Sequence, residues 1–289
     1  MAYKDASPGC NIYISGELKK DGYYWVTAEN LRKEIIKDTN TPLKVSKLWV
    51  IGKLSIPGNE GELFDIKREI SIVSSVFDSD VGFHGLHIKK EISFRDSIFK
   101  NSTNFFATNF EKMADFHKSI FYGKTDFSYA NFKEGSGFSN AKFANTNKGK
   151  SKVIKFFAVK FGKQADFWST EFYQKVDFTK SHFDEDAQFM RAKFKSDAVF
   201  DGTKFRGDTY FSFTEFEGSV FFPNSSFREF GAFHKTKFNG TIQLGWSSHS
   251  RLSFTDWSQL AGLLSFDDKK NVNFLSSVTS IIKCRVKFR

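Results

Sequence analysis

One feature constrains this chain more than any other: a phenylalanine that returns after five residues, then six, then five, then six. The series runs Phe94, Phe99, Phe105, Phe110, Phe116, Phe121, Phe127, Phe132, Phe138, Phe143. After one interruption it resumes at Phe156 and keeps the same beat through Phe161, Phe167, Phe172 and onward to Phe238. Backwards the beat reaches Ile88, Phe83, Phe77, Ile72 and Ile66, and forwards it reaches Leu244. Of these 32 positions 28 are Phe, so the interior of the fold is an aromatic column. Apolar positions five and six apart walk around a helix without making one stripe. The residue two before each Phe is usually small or β-branched, as at Ala114, Ser119, Thr125, Ala187 and Thr214. A small and a large residue two apart have the period of a strand, so both face the same side. Polar corners of two or three residues separate the pairs. The three-residue corners often carry Gly or Asp, as in Tyr122-Gly123-Lys124, Arg206-Gly207-Asp208 and Glu217-Gly218-Ser219. These are expected to supply the left-handed backbone of a sharp corner.

Four such steps close a 22-residue coil, and self-similarity at a fixed short period is the signature of a solenoid. The spacing predicts eight coils, with Phe116 stacked on Phe138 and Phe183 on Phe205 on Phe227. At about 4.8 Å per coil the rod is roughly 38 Å long. The motifs ADF, TDF, ANF and AKF, each followed by polar residues, resemble the repeat of the pentapeptide-repeat family. The resemblance covers residues 66–244, about 180 of 289. It implies an all-β fold, a right-handed, four-sided parallel β-helix. The alternating sixth residue departs from the family's simplest form and is expected to loosen two of the four corners. Some pentapeptide-repeat proteins bind DNA gyrase or a related topoisomerase by imitating the shape and charge of duplex DNA. Such a mimic is acidic, whereas this chain has a net charge of +10.

The flanks read differently. Residues 1–64 are expected to form an α+β N-terminal cap, with a helix over about 27–37 and a strand over about 43–56. Thr27 can cap that helix, and Ala28, Leu31 and Ile35 share one face. Residues 65–245 form the β-helix. The step from Phe143 to Phe156 is more than twice the expected one, so 144–152 is a loop insertion. Its Lys148, Lys150 and Lys152 make it a candidate contact loop. The beat is expected to fail after Leu244, leaving 246–289 as a C-terminal cap or dimerisation segment.

Residue chemistry points away from catalysis. The two cysteines, Cys10 and Cys284, sit at opposite ends and make no metal spacing. The six His form no metal cluster and no His–carboxylate pair that the columns support. No phosphate-binding, nucleophile-elbow or zinc motif occurs, and Asp115, Asp126, Asp166 and Asp177 read as outward repeat residues. The expectation is a non-enzyme without cofactors. The N-terminus lacks an apolar leader and no apolar run approaches the length of a membrane helix, so the expected location is the cytoplasm, with no membrane span.

The outward columns carry what functional signal there is. One reads Val76, Ile98, Ile120, then Lys142, Glu171, Lys193, Glu215, Lys237. Its first part is an apolar stripe, a candidate docking site for Leu31 and Ile35 of the helix, and its second is an ion ladder. Val199 stands below Phe221 in a second column. With Tyr210 and Phe230 they form a candidate interaction surface in a C-terminal half that reads as richer in outward aromatics. The leading reading is a scaffold for protein–protein interaction, with an unknown partner or a second copy. Nucleic acid ranks lower, because the lysines are dispersed among Asp and Glu.

Overall fold

The computed structural model describes residues 22–56, 64–144 and 153–246, together with the short strands Ala2–Tyr3, Ile14–Ser15, Arg251–Ser253, Leu264–Phe266 and Lys287–Phe288. The chain winds as a parallel β-solenoid of about nine turns. Each turn has four faces. The first face begins with Leu43–Ser46, Ile70–Val73 and Ile92–Ser93; the second with Tyr24–Thr27, Leu48–Ile51 and Val76–Phe77. The third begins with Leu54–Ser55 and Val81–Gly82, and the fourth with Phe64–Ile66 and Leu86–Ile88. Register between coils is the predicted one: Phe99 pairs with Phe121, Phe110 with Phe132, and Phe183 with Phe205.

The Phe ladder is the core. Its phenylalanines from Phe94 through Phe222 are at most 1% exposed. Along each face the rings stack nearly parallel, as Phe110 on Phe132 at 4.6 Å and Phe205 on Phe227 at 4.6 Å. Across the interior, rings of the first and third faces meet edge to face, as Phe116 and Phe127 at 5.4 Å and 79°. Both geometries suit the ring quadrupole, and a buried Phe contributes about 2–3 kcal/mol. The residue two before each Phe also points inward, with Ala114, Ser119 and Thr214 fully buried. The insertion leaves the stack intact: Phe127 and Phe156 sit 5.1 Å apart at 4°.

The corners differ from expectation. Left-handed backbone occurs at the two-residue corners, on the second residue after the inward one, and mostly without glycine: Asp96, Ala107, Lys118, Tyr129, Asn140, Ser169, Arg191 and Phe213 all have φ between 53° and 60°. The glycines of the three-residue corners serve another purpose. A Cβ on Gly123 would lie 2.2 Å from the backbone of Asn101, one on Gly207 2.5 Å from Glu185, and one on Gly218 2.4 Å from Ser196. Those corners press directly onto the corner of the coil below, and only a residue without Cβ fits where the approach is closest.

The first coil also corrects the sequence reading. The single strand expected over 43–56 is three strands, Leu43–Ser46, Leu48–Ile51 and Leu54–Ser55. Lys47 and Gly52 turn the chain between them, with φ of 54° and 88°. Val45 pairs with Ile72 and Val50 with Phe77, so aliphatic residues hold the positions that Phe holds later. Leu43–Ser46, Leu48–Ile51, Leu54–Ser55 and Phe64–Ile66 therefore supply the four faces of a coil of the solenoid. The helix spans Ala28–Ile35, with Thr27 Oγ1 accepting from the Asn30 amide at 3.2 Å. Its buried side, Ala28, Leu31 and Ile35, joins the inward residues of this coil, and it packs over Tyr24–Thr27, Leu48–Ile51 and Leu54–Ser55. Beyond Leu244 the beat does not stop on the third face: Leu244 pairs with Phe266 and Phe266 with Phe288, each one coil on.

Candidate interaction surfaces

At a two-residue corner the chain runs inward Phe, two corner residues, then the next inward residue. The carbonyl of Phe94 accepts from the Ser97 amide at 3.2 Å, and Asp96 between them is left-handed. The outward residue before the Phe often caps the turn. Asp115 accepts from the His117 amide at 2.9 Å, Asp126 from Ser128 at 3.0 Å, and Asp166 from Trp168 at 2.9 Å. The outward aspartates are thus turn-capping groups. Such corners push their two central side chains away from the coil.

On the corner between the third and fourth faces this produces a ridge. Phe106 is 43% exposed and Tyr129 is 54% exposed, and Phe157 follows on the next coil. Tyr129 meets Phe106 at 5.4 Å and Phe157 at 5.4 Å, both edge to face. Lys180 stands over the Phe157 ring at 5.9 Å. Sequence reasoning missed the ridge, although the signal is there: Phe106 and Phe157 each directly follow a beat phenylalanine, in one column once the insertion is counted.

The residues singled out in the sequence fall in several places. The first and third faces are opposite sides of the coil. Tyr210 pairs with Ala232 on the first face, and the Phe230 amide donates to Asp208 at 3.1 Å beside it. Val199 pairs with Phe221 on the third face. The structure therefore splits this set into two patches, and only Phe230, at 44% exposure, is strongly exposed. Of the exposed aromatics among the described residues, Trp168, Tyr173, Phe213 and Phe230 lie in the C-terminal half, which is the richer one, and Phe106 and Tyr129 lie before it. Of the apolar stripe, Val76 is 3% exposed while Ile98 and Ile120 are half-buried. Leu31 and Ile35 do not lie on it; they join the inward residues of the first coil in the core. The stripe instead continues into Trp49, with Trp25 stacked at 6.2 Å and Lys100 above it at 4.1 Å. Lys148, Lys150 and Lys152 lie outside the described residues.

The ion ladder is partly paired. Lys142 reaches Glu171 at 3.8 Å and Lys237 reaches Glu215 at 2.9 Å. A second charged cluster was not expected. His87 lies between two carboxylates, with Nδ1 3.0 Å from Asp65 and Nε2 2.5 Å from Glu111. The Lys133 ammonium, bonded at 2.6 Å, and then His87 push the Glu111 carboxyl down to about 2. Lys89 holds the Asp65 carboxyl below its usual range. This cluster was legible, since Asp65 and His87 stand one coil apart in the same column. It joins the first coil to the Phe ladder and is a structural bridge. Among the described residues no group of three His, Cys, Asp or Glu converges to hold a metal, and no helix is long and apolar enough to cross a membrane.

Charge is unevenly placed. Residues 64–144 and 153–246 hold 24 Lys and Arg against 22 Asp and Glu. Seven of the ten net positive charges belong to 145–152 and 247–289. The faces of the described coils are nearly neutral. No protein-family model, no curated protein and no solved structure matches the chain.

Proposed function

We propose that this chain is a non-catalytic scaffold that binds another protein through the Phe106–Tyr129–Phe157 ridge. One observation carries the reading. These three aromatic side chains contact one another on successive coils yet contribute nothing to the core, and large exposed aromatics are the residues that interfaces use as anchors. The 22-residue coil and its buried Phe ladder are consistent with pentapeptide repeats, and membership of that family is part of the proposal. The near-neutral coils favour a protein partner over nucleic acid, and their charge balance argues against an acidic mimic of DNA.

The test is affinity capture from cell lysate at low and high salt, with wild type, Phe106→Glu/Tyr129→Glu and Trp168→Glu. Trp168 is a matched control, 40% exposed at the corner diagonally across the coil. A protein retained in high salt, lost with the ridge variant and kept with the control supports the reading. Capture that ignores the ridge variant, or recovery of nucleic acid alone, eluted by salt, overturns it.

A further inference from the structure

The corner between the first and second faces carries a shallow groove that spans four coils. One wall is the corner column Asn140, Ser169, Arg191, Phe213; the other is the ladder Lys142, Glu171, Lys193, Glu215. The four corner residues are all left-handed, with φ of 54–59°, which turns their side chains out along the groove. Both acidic residues are already engaged. Glu171 accepts from Tyr173 Oη at 2.6 Å and faces Lys142, and Glu215 is held by Lys237. Arg191 and Lys193, two residues apart, make no ion pair within 4 Å among the described residues, although Lys193 stands between Glu171 and Glu215 in its column and helps to lower the Glu215 carboxyl. Arg191 instead stands 5.7 Å from the Phe213 ring, and Lys235 stands 5.8 Å from the same ring. The ring also meets His234 edge to face at 5.6 Å, and it lines the groove. Phe213 is 41% exposed there.

Two cations without a contacting carboxylate, beside an exposed ring, favour an anion attached to an apolar group. We propose that this groove binds an extended acidic peptide, with a carboxylate on Arg191 and Lys193 and a neighbouring apolar side chain on Phe213. Arg191 supplies the planar fork that matches a carboxylate, and Lys193 adds a point charge. Asn140 and Ser169 offer neutral hydrogen-bonding groups further along. The groove lies diagonally across the coil from the aromatic ridge, so the two surfaces can be tested separately and either can fail alone.

The experiment is fluorescence anisotropy on the full chain with a labelled pentapeptide, Asp-Glu-Phe-Glu-Asp. Arg191→Asn/Lys193→Gln should weaken binding about tenfold or more, the loss expected for one charge-assisted contact. Asn tolerates the left-handed backbone at 191, so the fold is kept, and matched melting curves confirm it. Lys90→Gln/Lys124→Gln removes the same charge elsewhere and should leave binding unchanged. Phe213→Asn should weaken the Phe-containing peptide but not one with Gly in its place. A lysine counterpart, Lys-Lys-Phe-Lys-Lys, should not bind. Equal loss in both double variants, no binding of the acidic peptide, or tighter binding of a short oligothymidylate at Arg191 and Lys193 overturns the proposal.

Discussion

The five-residue and six-residue steps turn the chain through the same angle by different physical means. At the five-residue steps the turn is made by one left-handed residue, and the Phe carbonyl is tied to the coil above. Ser119 Oγ donates to the Phe94 carbonyl at 2.7 Å, Thr214 Oγ1 to that of Phe189 at 2.6 Å, and Thr236 Oγ1 to that of Phe211 at 2.7 Å. At the six-residue steps the corner lies flat on the one below. There the links between coils are ionic or run through aspartate. Asp186 accepts from the Asp208 amide at 3.0 Å, Asp208 from Phe230, and Lys195 pairs with Glu217. The difference teaches where binding surfaces can form. The ridge and the groove both sit on five-residue corners, whereas six-residue corners commit residues such as Asp186, Lys195 and Asp208 to neighbouring coils while still exposing Tyr173 and Phe230 singly.

The largest expected effect breaks the flat packing. Gly218→Ala places a Cβ 2.4–2.7 Å from the Ser196–Asp197 backbone, and Gly240 sits on Gly218 just as closely. Nothing flexible is there to yield, so the cost is about 2–3 kcal/mol in chemical unfolding. Gly202→Asn, at a five-residue corner, should cost less. Gly202 is left-handed at 62° with its nearest neighbour 3.8 Å away, and Asn tolerates that backbone. Equal costs for the two would show that the corners do not differ as described.

A smaller effect separates the inward hydroxyls. Thr214→Val removes the hydroxyl that the Phe189 carbonyl accepts from and should cost about 1–2 kcal/mol. Three inward hydroxyls that follow six-residue corners, Thr103, Ser136 and Thr209, are buried without a hydrogen-bond partner, while a fourth, Thr125, reaches only the Gly123 carbonyl of its own corner at 3.4 Å. Thr209→Val should therefore be neutral or stabilising. Paired urea titrations read the contrast directly, and a Thr209→Val cost matching that of Thr214→Val would refute it.

Acid should weaken the first coils in a defined window. Glu111 and Asp65 have carboxyls lowered by Lys133 and Lys89 respectively, with His87 bonded to both. A depressed carboxyl stabilises the folded state above its unfolded value, and that contribution fades as pH falls through the folded value. For Glu111 the window runs from about 4.5 down to about 2. Melting temperature should fall across it, and Lys133→Met should flatten the fall. These groups are solvent-accessible, so the effect is modest and should shrink in high salt.

Much of the molecule was legible in the spacing alone. The beat of Phe fixed the coil length, the inward pairs and the register, because a strand's period and a closed coil leave few alternatives. The first coil was hidden only because Val45, Val50 and Ile56 replace Phe. A bias was also in view: hydroxyls are commoner at one kind of inward site, as Ser97, Thr108 and Ser119, and aliphatic residues at the other, as Ile92, Ala114 and Val176, with Thr103 and Thr209 among the exceptions. Its meaning needed the carbonyl that each hydroxyl reaches. Asp65 and His87 could be paired by counting one coil, but Glu111 joins them from a corner, outside any column. The helix position was not legible, since spacing says which residues are apolar and not which surface of the coil they cover. The ridge and groove were harder still. Both depend on left-handed corners, and residues such as Arg191, Phe213 and Tyr129 are not types that announce that backbone.

The smallest effect probes those corners most directly. Lys118 is exposed, left-handed at 56°, and donates its amide to the Ser139 carbonyl at 2.9 Å. Lys118→Gly keeps that amide and relieves about 1–2 kcal/mol of left-handed strain. It also frees the unfolded chain, which costs about 0.5–1 kcal/mol. The two nearly cancel, so the unfolding midpoint should rise slightly or stay put. This near-cancellation explains why glycine is not needed at five-residue corners and why they can carry Lys, Arg, Tyr or Phe. A Lys118→Gly variant destabilised by more than about 1 kcal/mol would mean that the corner is held by its side chain. The outward residues would then be part of the scaffold and less free to serve a partner.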